Sequence, residues 1–188
     1  MKNKLSFIKA PLLMGPGPSC VSDSVYNALA KPTLGHLDPD FISLMDEIKN
    51  FLQEMFQTDN ELTVPVSGTG SAGMETCFVN LIEPGDDVLI LINGVFGTRM
   101  EDVAFRLGAN VDSLNFDWGT PVLLNQVKNQ ITQKKYAIVA IVHAETSTGV
   151  CNPIEEIGKL VQQNGALYLV DCVTSLGGIN IKMDEWNI

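Results

Sequence analysis

Residues 166–175 read Ala166-Leu167-Tyr168-Leu169-Val170-Asp171-Cys172-Val173-Thr174-Ser175, an apolar run that stops on a carboxylate. Bounded by Gly165 and by a polar turn, the run reads as a strand buried on both faces. Strands of that kind lie inside parallel sheets, where helices cover both sides and the polar alternation of a half-exposed strand disappears. Asp171 then falls at the strand's carboxyl end, the edge at which open α/β sheets bind ligands. Taken alone, the acid has two readings: it caps the following turn through backbone N–H groups, or it faces a ligand.

Upstream, the chain repeats the same unit. Residues 88–92 and 137–142 are apolar strand-like runs, residues 111–114 continue as a strand, and residues 62–66 read as an edge or irregular strand because Pro65 removes a ladder donor. Between them lie stripes at helical spacing: Met74, Cys77, Phe78, Leu81 and Ile82; then Met100, Val103, Ala104 and Leu107, closed by Gly108; then Leu124, Val127 and Ile131 in a helix opening at Thr120-Pro121; then Ile154, Ile157, Leu160 and Val161, opened by Asn152-Pro153 and ended by Gly165. Two helices precede this series. Val21, Val25, Ala28 and Leu29 make a short stripe stopped by Lys31-Pro32, and Phe41, Met45, Ile48, Leu52 and Phe56 follow Asp40 as N-cap. The fold class is therefore α/β, a mainly parallel sheet flanked by helices and joined by right-handed crossovers. Residues 1–20 read as an irregular N-terminal arm ending in Met14-Gly15-Pro16-Gly17-Pro18-Ser19.

Composition narrows the function. With 45% hydrophobic and 18% charged residues the chain is globular, and no apolar run approaches a membrane span. The start, Met1 to Ile8, has neither a long apolar stretch nor a small-residue cleavage site, so a cytoplasmic protein is expected. A net charge of −10, with twelve basic residues that form no cluster, argues against nucleic acid. Cys20, Cys77, Cys151 and Cys172 are scattered and the only histidines are His36 and His143, so no metal site is expected. Cys77 and Cys172 read as reduced core cysteines, and no histidine stands beside Cys172 in sequence to activate it.

The residues after each strand carry the chemistry. Ser67-Gly68-Thr69-Gly70-Ser71-Ala72-Gly73 follows one strand and opens a helix. Glycines there let backbone N–H groups approach a phosphate at the positive end of the helix. A dinucleotide site also wants an acid at the end of the next strand, and this chain has Asn93-Gly94. Asn93-Gly94-Val95-Phe96-Gly97 sets an aromatic between glycines, either to stack on a planar ring or to cover the sheet edge. His143-Ala144-Glu145-Thr146-Ser147-Thr148-Gly149 offers hydroxyl groups, for a ligand or for its own backbone. A phosphate cradle, a stacking ring, hydroxyl donors and a buried-strand carboxylate are what pyridoxal phosphate requires, the acid keeping the pyridine nitrogen protonated so that the ring accepts electrons.

These segments, with Gly35-His36-Leu37-Asp38-Pro39, Glu83-Pro84-Gly85-Asp86 and the Leu176-Gly177-Gly178 that follows Ser175, resemble the class V aminotransferases of the alanine-glyoxylate and serine-pyruvate group. The resemblance runs over nearly the whole chain. It implies the large pyridoxal-phosphate domain of fold type I, with Thr69, Gly70 and Ser71 on the cofactor phosphate and Phe96 stacked on its ring. It further implies Thr146 near the phenolic oxygen, Asp171 on the pyridine nitrogen and Val173 on the opposite ring face. Gly17 would lie near the substrate, a small amino acid or 2-oxo acid, in a homodimer whose sites borrow residues from the second subunit.

The family's cofactor-binding lysine follows the equivalent of residues 184–188, where this sequence stops. The expectation is accordingly a partial large domain over residues 21–188, without the small C-terminal domain, with negligible turnover by the 188-residue chain itself. The rival readings are a Rossmann-type oxidoreductase that binds NAD, a non-catalytic remnant or assembly module, and desulfurase or lyase chemistry within the same family.

Overall fold

The computed structural model describes residues 9, 11–15 and 17–188. Two compact units divide the chain, Met1–Ser43 and Leu44–Ile188. In the first, α1 (Asp23–Leu29) is the expected short helix. The next helix, α2 (Pro39–Phe56), starts one residue before the expected cap. Asp38 is the acid that satisfies its first turn, accepting from Asp40 N at 2.9 Å, because Pro39 has no N–H to satisfy and fits the first helical position.

The second unit is a four-stranded, wholly parallel sheet in the order β2-β1-β3-β6. Its strands are β1 (Asp87–Ile92), β2 (Asn110–Asn115), β3 (Ile138–Val142) and β6 (Leu167–Asp171). The helix α3 (Gly70–Leu81) leads into β1, and α4 (Val95–Arg106), α5 (Leu124–Gln133) and α6 (Ile154–Asn164) make the crossovers. A two-residue antiparallel ladder, β4 (Ala144–Glu145) with β5 (Val150–Cys151), stands on the loop after β3. Because successive side chains of a strand point to opposite faces, β1 and β3 feed two cores. Leu89, Leu91, Val139 and Ile141 pack with Val127, Ile131, Ile157 and Val161 of α5 and α6. Val88, Ile90, Ile138 and Ala140 pack with Met74, Phe78, Met100 and Ala104 of α3 and α4. That double coverage is why β1 and β3 are apolar at nearly every position.

Several expectations change. Among the described residues β6 pairs with β3 alone, and where burial on both faces was expected Leu167 is 55% exposed and Tyr168 is its one buried residue. Residues 62–66 form no strand; Leu62 and Val64 are exposed, Pro65 lacks a ladder donor, and no described strand lies alongside. The α5 helix begins at Leu124 rather than at Thr120-Pro121, because the buried Val122 N–H is held at 3.0 Å by Asn152 Oδ1 and keeps residues 121–123 extended. Cys77, expected in the core, is exposed; the buried stripe of this stretch is the narrower Met74, Phe78 and Ile82.

Candidate active site

At the carboxyl edge of the sheet, Thr69, Gly70, Ser71, Phe96, Thr146, Asp171 and Val173 line a single cavity of about 130 Å³, together with Met74 and Val142. The first seven are the cofactor residues singled out in the sequence. Met74 and Val142 had been visible only as core positions, one turn into α3 and at the end of β3. Gly17, the remaining candidate, belongs to the unit Met1–Ser43, where no described atom lies within 4 Å of a Cβ built on it.

Each wall has a local cause. Thr69 caps α3, its hydroxyl accepting from Ala72 N at 3.4 Å, while its carbonyl accepts from Ala72 N and Gly73 N. The N–H groups of Gly70 and Ser71, one turn earlier, have no partner within the helix and mark the positive end of its dipole. Gly70 is required: a Cβ there would meet Val173 Cγ2 at 2.6 Å. Phe96 rides on the first turn of α4, whose end is capped by the Glu145 carboxylate. That carboxylate is 1% exposed and accepts from Phe96 N at 3.2 Å, Gly97 N at 3.4 Å, Ser147 N at 3.1 Å and Ser147 Oγ at 2.7 Å. Gly94 makes room for it, since a side chain there would collide with Glu145. Sequence reasoning quoted Glu145 and gave it no task; a polar residue in the loop after a buried strand was its only signal.

Asp171 ends β6 opposite Val142, and its carbonyl accepts from His143 N at 2.9 Å. Its Oδ1 accepts from Val173 N at 2.9 Å, so the turn-capping reading is present in the structure. The same carboxylate lines the cavity. Burial raises its pKa above the ordinary aspartate value, against the Val173 hydrogen bond, and the nearby Glu145 charge adds to the rise. The strand-end acid is thus both a cap and a cavity group with heightened proton affinity.

At the end of β1, where a dinucleotide site needs an acid for ribose hydroxyls, Asn93 is 1% exposed. Its amide donates at 2.9 Å to Thr120 O and to Asn152 Oδ1 and accepts from Asn152 Nδ2 at 3.2 Å. An amide pair locked between two loops has nothing left for a ribose. Burial pushes the Cys172 thiol up to about 11, which leaves little thiolate at neutral pH.

A parallel α/β sheet with a glycine-rich helix start, an aromatic and an acid gathered at its carboxyl edge defines an α/β ligand-binding architecture. The family described as aminotransferase class-V matches residues 22–188, and the chain belongs to that family. It is 42% identical to (S)-ureidoglycine-glyoxylate transaminase of Bacillus subtilis, covering 94% of this chain and 42% of that protein. It is 41% identical to alanine-glyoxylate aminotransferase of Rattus norvegicus, covering 94% and 43%. The solved alanine-glyoxylate aminotransferase from Nostoc sp. superposes with a TM-score of 0.93 at 46% identity, over 100% of this chain and 50% of that one. This chain therefore spans about half the length of the relatives it matches. The solved ureidoglycine-glyoxylate aminotransferase from Bacillus subtilis also superposes with a TM-score of 0.93 at 41% identity, so the fold is the aminotransferase fold that the sequence motifs led one to expect. Among the described residues no helix is long and apolar enough to cross a membrane.

Proposed function

We propose that this chain forms the cofactor-holding part of an aminotransferase that moves an amino group from a small amino acid, such as alanine or serine, to glyoxylate or pyruvate. Glyoxylate is the acceptor common to the names of the two relatives above, which favours it here. The observation that carries the reading is the single cavity that gathers Thr69, Gly70, Ser71, Phe96, Thr146, Asp171 and Val173 from four segments distant in sequence.

The donor set suits pyridoxal phosphate. A helix start with free N–H groups and two hydroxyls accepts a phosphate dianion, and the Gly70 position is one that a methyl group would fill. When bound, pyridoxal phosphate supplies an electron-accepting pyridine ring. Thr69, Gly70 and Ser71 would hold its phosphate, Phe96 and Val173 would face the ring from opposite sides, and Thr146 would donate to the phenolic oxygen. Asp171 would accept a hydrogen bond from the protonated ring nitrogen, and the negative charge of its carboxylate would favour keeping that proton on the ring. Gly17 would approach the substrate.

The domain reading goes with it: residues 1–20 as an arm, and residues 21–188 as part of the large cofactor domain. A homodimer in the cytoplasm is the proposed setting. In the protein that contains this chain, loaded with pyridoxal phosphate, alanine or serine should shift the cofactor's absorption and glyoxylate should reverse the shift. Absence of any shift with small amino acids overturns the proposal.

A further inference from the structure

We infer that Arg99 is the cation that neutralises a phosphate ester held at the start of α3, acting beside and through Ser71; this rests on the cofactor reading above. Arg99 lies on α4, one turn after Phe96. Its Nη1 donates to Ser71 Oγ at 2.6 Å, and its Cζ stands 5.2 Å from the centroid of the Phe96 ring. Ser71 and Phe96 are both cavity residues. The guanidinium is thus fixed by a hydrogen bond on one side and a cation–π contact on the other, at the rim of the space where the phosphate would sit.

Its charge has no other evident use. Among the described residues the ion pairs engage Arg106, Lys134, Lys159 and Lys182, and no carboxylate lies within 4.0 Å of Arg99. In a chain of net charge −10, an arginine spent on a neutral hydroxyl stands out. The hydroxyl's own chemistry explains the pairing. A serine Oγ offers one proton and two lone pairs. With Arg99 donating to a lone pair, the Ser71 proton is left to point at an anion, and the polarised O–H donates more strongly. The remaining N–H groups of the guanidinium fork suit phosphate oxygens directly. The helix start alone supplies only partial charge, whereas a phosphate dianion calls for a full positive one.

The test uses the protein that contains this chain and two probes that lack an aldehyde and so do not react with surface lysines: pyridoxine 5′-phosphate and pyridoxine, titrated by calorimetry. The wild-type chain should bind the phosphorylated probe more tightly. Arg99→Gln should weaken that probe about tenfold or more, the scale of one charge-assisted hydrogen bond, and leave pyridoxine unchanged, while Arg99→Lys recovers part of the loss. Equal wild-type affinity for the two probes, or none for either, overturns the cofactor reading and this inference with it. A wild-type preference for the phosphorylated probe that survives intact in Arg99→Gln overturns the role of Arg99 and leaves the cofactor reading standing. Equal weakening of both probes also overturns it, because Arg99 would then serve the ring through Phe96. Arg99 is exposed, so its replacement leaves the core untouched, and a thermal melt of each variant verifies this.

Discussion

The backbone of Gly70 and the side chain of Val173 stand so close across the candidate cavity that a methyl group built on Gly70 would lie 2.6 Å from Val173 Cγ2. The start of α3 and the turn after β6 therefore pack against each other and set each other's spacing on one wall of the site. Gly70→Ala should push Val173 or the helix start aside, and binding of pyridoxine 5′-phosphate should fall at least tenfold with only a small change in melting temperature. Calorimetric titration measures the first and a thermal melt the second. The double variant Gly70→Ala with Val173→Ala should recover part of the affinity, since the clash is between those two side-chain positions.

Asp171 sets function against stability. Burial and the Glu145 charge raise its pKa in the folded state, so folding disfavours the ionised carboxylate. The resulting cost is fully present above the folded pKa and is relieved as pH falls toward the unfolded value. Asp171→Asn keeps an acceptor for Val173 N and carries no charge. Its melting temperature should exceed that of the wild type at pH 8 by a small margin, on the order of 1 °C, and the two curves should converge near pH 4. The same variant should bind pyridoxine 5′-phosphate more weakly, because a neutral amide does not hold a proton on the ring nitrogen.

Glu145→Ala removes the acceptor for Phe96 N, Gly97 N and the Ser147 hydroxyl at a fully buried position. Buried donors left without partners cost about 1–3 kcal/mol each, so a loss of roughly 2–4 kcal/mol is expected in urea denaturation. Phe96 loses its anchor in the same step, and probe affinity should fall together with stability.

The Asn93–Asn152 pair supports two loops at once. Asn152→Ala strands Val122 N, Val142 O and the Asn93 amide, and should cost about 2–4 kcal/mol by the same reasoning. Residues 121–123 should gain hydrogen exchange ahead of the sheet, because Val122 N is held by that side chain alone.

Thiol labelling reads out the fold directly. Cys20, Cys77 and Cys151 are exposed, whereas burial holds the Cys172 thiol at about 11. At pH 8 a thiol reagent should label the first three in the native chain and reach Cys172 only when urea unfolds it.

Much of the site was legible because its chemistry is local in sequence. Thr69-Gly70-Ser71 declares a helix start that accepts an anion, and Asp171 declares a strand end, since each pattern is set by neighbours a few residues away. Glu145, Asn152 and Arg99 were not legible in this way. Their partners lie 28 to 59 residues distant, and no periodicity encodes a side chain that caps a remote helix or bridges two loops.

The residues of Ala166 through Asp171, with the alternation of apolar runs and helical stripes before them, determined by themselves that the chain is a parallel α/β sheet carrying an acid on its ligand edge. Hydrophobic period and turn chemistry are properties of short segments, and they survive without knowledge of the fold. Only the tertiary structure decided that residues 62–66 stay unpaired, that α5 starts late, and that four segments distant in sequence line one cavity. Those outcomes depend on which strands neighbour one another and on which buried polar groups find partners, and both are fixed when the sheet closes its hydrogen bonds rather than by any segment alone.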